Sequence, residues 1–458
     1  MKPADGLIRG LGLKEATAAN VVEMVGIGPF ITMPLLIGAM GGPQALVGWL
    51  VGALLAVCDG AVWAELGAAM PGAGGSYVYL REAFGHARMG QMMSFLFVWM
   101  TLLTAPLSAA SGGVGFAEYI RYFVPTLSGG AAKLVAIAVC ATVTLLAYRN
   151  IRAVGRLSFW LMLVVTGTIV WVIASGLFRV KLALLTDVPP NAFSVSTAFF
   201  WGLGQASLIA IYDYGGYNNV CYLGGEVKEP ARNIPRAIVG AIALVGVLYL
   251  LMTVAIIGVV PWRQAAQSQH IVSDYMELIY GPWAGWLLTG LVVGAVFASV
   301  FALVLGASRI PYAAAADGKF FAAFARLHPR GHFPHVSLLT LGALSAFFCL
   351  LPLQQIIQVL IVFNIVLMSL PQVVAVFLIR RRDIDLPFRM WLYPLPALAA
   401  GALWIFVLVT TGWKLVGIGL GVVALGIAMY LVRARAVRDW PFASRADGGP
   451  GHVGAMRR

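Results

Sequence analysis

Apolar runs of about 18 to 25 residues recur along the whole chain, separated by short polar stretches. Each is long enough to cross a hydrocarbon core as a helix. They fall at 16–39, 44–70, 91–122, 131–148, 157–178, 196–223, 237–260, 282–307, 336–352, 356–379, 391–411 and 413–432, which predicts twelve spans. Two runs are interrupted by helix breakers. Gly26-Ile27-Gly28-Pro29-Phe30 splits the first, and Tyr214-Gly215-Gly216-Tyr217-Asn218-Asn219 splits the sixth. A break at membrane depth exposes backbone N–H and C=O groups, so it must face protein or a water-filled cavity. Breaks at corresponding positions of two halves point to the binding site of a secondary transporter.

Composition agrees with a membrane protein. The chain is 60% hydrophobic and 11% charged, with a mean hydropathy of +0.88, against roughly 25% charged residues in a soluble protein. No polar linker marks off a second domain, so 1–458 reads as one transmembrane domain with short basic tails at 1–15 and 433–458. The net charge of +13 is distributed as orienting charge. With the N-terminus inside, 25 of the 31 Lys and Arg fall on the cytoplasmic side, and Arg121, Lys133, Arg179, Lys181, Arg263 and Lys414 fall outside. That asymmetry places both termini in the cytoplasm and suits an even number of spans in the plasma membrane. The basic patches then face anionic lipid, and no nucleic-acid partner is implied. The first span does not look like a cleavable signal peptide and reads as mature structure. All four cysteines fall within spans, which implies no exposed disulfide framework.

Spans one to five (16–178) and six to ten (196–379) can be laid over each other as two halves, each opening with a broken helix. An odd number of spans per half inverts the second relative to the first, leaving 391–432 as an appended pair. Three segments carry a family resemblance. Gly26-Ile-Gly-Pro-Phe30 resembles the first-span break of the amino acid–polyamine–organocation permeases. Ala64-Glu-Leu-Gly-Ala-Ala-Met-Pro-Gly-Ala-Gly-Gly-Ser-Tyr77 and Gly225-Glu-Val-Lys-Glu-Pro-Ala-Arg-Asn-Ile-Pro235 are similar to that family's signatures after spans two and six. The stretch from Tyr212 to Pro235 looks closest to plant-type polyamine and amino acid permeases and their bacterial relatives. The resemblance implies an all-α, LeuT-like five-plus-five inverted repeat, and roles for Gly26, Ile27, Gly28 and the hinge Gly216 in holding substrate. It also implies a departure, because several relatives carry a lysine in span five, and Leu157–Phe178 has none.

The residues suggest how such a site works. The half-helix after Gly28 presents free N–H groups and the positive end of a dipole, a seat for a carboxylate. Gly26 and Gly28 let backbone approach a ligand, and Pro29 suits a first helical turn. At the second break, Gly215-Gly216 should free the carbonyls of Ile211 to Tyr214 for a substrate ammonium, with Asn218 and Asn219 as amide partners. Phe30, Tyr212 and Tyr214 are candidate pocket walls, with packing between helices as the alternative for the tyrosines. Four acids lie inside spans: Glu23, Asp59, Glu65 and Asp213. Charged carboxylates are costly there, so each should be protonated, wetted by a cavity or paired with a cation. Glu23, Asp213 and Asp59 are therefore candidates for proton coupling or amine binding, and Glu65 for an interfacial structural role.

Other chemistry finds little support in the sequence. His328, His332 and His335 sit in a loop without cysteine and read as a solvated basic loop. Gly72-Ala-Gly-Gly-Ser76 lacks the Lys-Ser/Thr ending of a phosphate loop. No cofactor, metal or enzymatic activity is expected. The expected partners are the bilayer, a small amino acid or amine, and a proton as coupling ion. Polyamine uptake, amino acid exchange and a non-transporting nutrient receptor remain as alternatives.

Overall fold

The computed structural model describes residues 9–26, 28–72, 74–85, 88–149, 154–329, 333–382 and 386–442, with the backbone alone at 149 and over 154–163. Its first half contains α1 (Leu13–Met24), α2 (Gly28–Met40), α3 (Leu46–Ala69), α4 (Ser76–Phe84), α5 (Met89–Phe123), α6 (Gly129–Arg149) and α7 (Val154–Leu177). A single turn, α8 (Leu182–Leu185), leads to α9 (Thr197–Tyr214), α10 (Asn219–Tyr222), α11 (Pro230–Ile257), α12 (Trp262–Ala265), α13 (Ile271–Tyr280) and α14 (Pro282–Ala307). The chain continues through α15 (Arg309–Ala316), α16 (His335–Phe348), α17 (Leu353–Asn364), α18 (Leu370–Arg380), α19 (Leu395–Thr410) and α20 (Trp413–Val437). Among the described residues the only non-helical pairing is an isolated bridge between Leu11 and Val227.

Among the described residues the fold is thus all-helical, and seven helices are long and apolar enough to cross a membrane, with the α1–α2 pair making an eighth. His335–Phe348 and Leu395–Thr410 are apolar but shorter, at 14 and 16 residues, whereas α7 runs unbroken over the 24 residues Val154–Leu177.

Packing divides the helices into two groups. α1, α3, α9 and α11 pack on one another, with α2 against α9, and α5, α6, α14 and α16 form a second set, while α7 touches both through α11 and α14. Close contacts rest on small residues. A side chain at Gly48 or Gly52 of α3 would run into Ala206 or Ala210 of α9 at 2.6 Å, the close approach that packs helices in lipid.

Proline within α2 shows how the membrane constraint is met. Pro34 has no N–H to offer the carbonyl of Phe30 four residues back, and the Tyr119 hydroxyl of α5 donates to that carbonyl at 2.8 Å. In the tenth predicted span, a π-turn at Ile365–Ser369 precedes Pro371 and absorbs the missing donor there.

The two signature segments serve as clamps. Glu65 of α3 is 0% exposed and accepts from Arg380 Nε at 2.5 Å, Arg380 Nη2 at 2.7 Å and the Met390 N–H at 2.7 Å. Ser76 Oγ accepts from Gln372 Nε2 at 2.5 Å. In the second segment, Glu226 O accepts from Leu11 N at 3.0 Å, and Lys228 N donates to Leu11 O at 2.8 Å. Glu65 therefore has the structural role expected of it. Removing one partner of a buried pair leaves an uncompensated charge, so Glu65→Gln should cost about 3 kcal/mol or more. Thermal unfolding of the purified protein should show a drop of several degrees, and an unchanged midpoint would mean the pair contributes no more than a surface one.

Candidate functional site

The two breaks lie side by side. α1 and α2 meet at an angle of 53° across Val25–Gly28, and α9 ends at Tyr214, where the chain turns through Gly215–Asn218 into α10. Each break is stitched to its surroundings by side chains. Asn20 of α1 is fully buried, donates from Nδ2 to Tyr217 O at 2.6 Å and accepts at Oδ1 from Val220 N at 2.8 Å. Asn219 Nδ2 reaches back to Ala19 O at 3.3 Å. The Tyr249 hydroxyl of α11 donates to Met24 O, the last carbonyl of α1, at 2.7 Å, and lies 3.4 Å from Asp213 O. Several backbone groups at both breaks are in this way paired inside the protein, as burial requires.

Two glycines set the distance between the breaks. Gly216 has φ +110, and a Cβ there would come within 2.9 Å of the Glu23 Cβ, Cγ and backbone C. At Gly28 a Cβ would collide with Asp213 Oδ1. The resemblance singled out both positions.

A cavity of about 1620 Å³ opens from this junction. It is lined by Gly26 and Gly28 at the first break, and by Tyr212, Asp213, Gly215, Gly216 and Asn218 at the second. It runs past Trp63, Thr101 and Met368 to a mouth with Arg9, Arg81 and Arg309. All three arginines belong to the face that the charge distribution assigns to the cytoplasm. At the opposite end, α13 packs on α2, α7 and α14. Tyr122 donates to Glu277 there, Arg121 Nη1 bonds Gln269 at 2.8 Å, and Arg179 Nη1 donates to Ile279 O at 2.9 Å.

Other expected site residues are placed differently. Phe30 is 1% exposed and Tyr214 is 0% exposed, and both face the packed interior away from the cavity. Tyr214 instead stacks edge-on against Trp49 at 5.9 Å between ring centroids. Tyr212 does reach the cavity, with its hydroxyl 2.7 Å from Ser111 Oγ. Ile27 lies outside the described residues, as does His332, and among those described no His, Cys, Asp and Glu group is arranged to hold a metal. The carbonyls of Tyr212 and Asp213, expected to be open, take hydrogen bonds from Gly215 N at 3.1 Å and from Tyr249.

The acids differ in their partners. Asp59 is 1% exposed, accepting from the Tyr217 hydroxyl at 2.6 Å and Trp404 Nε1 at 2.9 Å, so it holds the second break against α3 and α19. Asp213 is 2% exposed; its Oδ2 accepts from Thr32 Oγ1 at 2.5 Å, whereas its buried Oδ1 has no partner. Glu23 is open to the cavity and has no hydrogen-bond or ion-pair partner among the described residues. Sequence reasoning left the walls from the third, eighth and tenth spans unplaced. They are Thr104, Ser108 and Ser111 of α5, Ser299 and Val300 of α14, and Ile361 and Asn364 of α17. The hydroxyls recur along one face of α5 at helical spacing, a pattern readable in the sequence once that face is known to be wet.

An all-helical membrane protein with paired broken helices on the wall of one cavity has the architecture of a solute carrier. Comparison with known proteins makes this specific. A sequence model of the amino acid permease family matches residues 11–431, and the chain belongs to that family, whose members are transporters and not enzymes. An uncharacterized transporter of Mycobacterium tuberculosis is 32% identical over 75% of this chain and 74% of its own length. The branched-chain amino acid permease BcaP of Bacillus subtilis is 24% identical over 94% of each chain. Human cationic amino acid transporter 4 is 28% identical over 77% of this chain and 57% of its own length.

The glycine contacts yield a direct test. Gly216→Ala places a side chain at φ +110 and against Glu23, at a cost of at least about 1–2 kcal/mol from the backbone alone. It should lower uptake more than tenfold, while Gly38→Ala, where a Cβ meets nothing within 4 Å, should leave uptake near wild type. Equal activity of the two variants would show that the breaks need no close approach.

Proposed function

We propose that this permease moves an amino acid across the plasma membrane by alternating access. In this reading twelve spans form a five-plus-five inverted repeat of 16–178 and 196–379 with 391–432 appended, and both termini lie in the cytoplasm. The observation that carries it is the apposition of the two breaks, Gly28 against Asp213, on the wall of the cavity. The substrate carboxylate takes the free N–H groups at the start of α2, where the helix dipole favours an anion. Its ammonium meets the polar groups of the second break, Asn218 among them.

Asp213 is the proton carrier in this reading. It stands at membrane depth, has one oxygen unpaired, and no Lys or Arg bonds it. Its charged form is costly while the site is dry and becomes affordable only when water enters. Gain and loss of the proton are therefore tied to which side is open. A polyamine reading draws on Glu23, Asp59 and Asp213 as successive amine partners. Both oxygens of Asp59 are already engaged, which removes the middle rung and favours the amino acid.

Uptake into proteoliposomes with an inward proton gradient tests this. Asp213→Asn should reduce gradient-driven accumulation at least tenfold. Full accumulation by the variant would exclude Asp213 as the coupling group. Thermal stabilisation should be produced by free amino acids and not by their methyl esters, by roughly 2.7 kcal/mol at about 100 times the dissociation constant. Indifference to esterification would remove the carboxylate from the recognition scheme.

A further inference from the structure

The names of relatives divide between branched-chain and cationic substrates, so the kind of side chain carried must be read from the cavity itself. Between the apposed breaks and the mouth, the wall changes character. Glu23 stands there open and unpartnered, its stem lying across Gly216. The Tyr222 ring is 6.0 Å from that of Trp63 and stacks on Phe97 at 6.4 Å, and all three rings line the cavity.

Aromatic faces carry negative potential and attract organic cations, most strongly where water is partly excluded. The neighbouring hydroxyls favour the same ligand. Thr101 Oγ1 donates to Phe97 O at 3.0 Å and Thr104 Oγ1 to Met100 O at 3.1 Å. Their protons are spent within α5, so toward the cavity they can only accept. Asp213, 2% exposed with Oδ1 unpaired, adds a further acceptor at the wall. The cations on the cavity wall, Arg9, Arg81 and Arg309, stand at its mouth. Among the described residues the middle of the cavity therefore offers a carboxylate, aromatic rings and lone pairs, with no opposing charge.

We propose that the carried amino acid is a basic one, whose side-chain ammonium or guanidinium sits between Glu23 and the Tyr222–Trp63–Phe97 wall. This rests on the reading above in which the carboxylate is held at the start of α2. An extended basic side chain then points from the breaks toward the mouth. Glu23 serves as a specificity residue, and the proton remains the task of Asp213.

Lysine and norleucine differ only by the terminal ammonium, and cadaverine is lysine without its carboxylate. Initial uptake rates of the three by the full chain in liposomes give the test. The wild type should take lysine with a kcat/KM at least tenfold above norleucine and cadaverine. Glu23→Gln should bring the lysine-to-norleucine ratio within about threefold of unity, and Glu23→Asp should keep it high. Norleucine handled as well as lysine, with both above cadaverine, overturns the cation subsite while leaving the carboxylate reading intact. Cadaverine handled as well as lysine overturns the amino acid reading and this inference with it. A Glu23→Gln protein that keeps the full lysine preference removes Glu23 from the subsite. If that variant does not fold, the wild-type ratio of lysine to norleucine still decides the matter.

Discussion

The whole arrangement depends on one constraint, that backbone N–H and C=O groups at membrane depth must find partners. An unmet group costs about 1–3 kcal/mol in a protein interior and several in hydrocarbon, so a helix broken in mid-membrane is unstable by itself. Here the partners come from neighbouring helices and from the opposite break. Asn20 on one side of the first break pairs with Tyr217 O and Val220 N of the second, and Tyr249 serves Met24 O while touching Asp213 O. Neither break can persist without these contacts. The cavity sits at their junction because that is where backbone remains free to be used by a ligand.

The same constraint, applied to charge, sorts the four intramembrane acids by how fully the protein answers them. Glu65 has a bidentate arginine and a backbone N–H. Asp59 has a phenol and an indole, one for each oxygen. Asp213 has a hydroxyl on one oxygen and nothing on the other, and Glu23 has no bonded partner among the described residues. A fully partnered carboxylate is already committed to structure. An open one carries a cost that only a proton or a bound cation can lift. Depth alone would make all four look alike, and it is the count of partners that separates scaffold from site.

Much of this was legible in the sequence because helix breakers are local signals. Gly26, Gly28, Gly215 and Gly216 announce the breaks wherever the chain goes, and the motifs around Glu65 and Glu226 identify the family. Long-range partners leave no such trace. Asn20 and Tyr249 stand about 200 residues or more from the groups they serve, and nothing in their local pattern marks them. The tyrosines show an intermediate case. Tyr212 and Tyr214 are two positions apart on one helix, about 200° around its axis, so both could not face one cavity. Helical phase demanded a choice, and packing of Trp49 and Tyr249 against Tyr214 makes it.

In the alternating-access reading proposed above, the end of the bundle opposite the arginines is the one that has to open. Its seal at α13 includes polar contacts of partly exposed residues: Tyr122 to Glu277, Arg121 to Glu118 and Gln269, and Asp274 to Ser268 and His270. Side chains there are about a quarter exposed, as for His270 at 25% and Asp274 at 28%. Polar pairs of that kind contribute only about 0–1 kcal/mol each. By contrast, the bonds that stitch the breaks together are buried and much costlier to open. A protein that must open one end and then the other while keeping its site intact needs this ordering, a soft seal outside a hard junction, so that the seal yields and the junction does not.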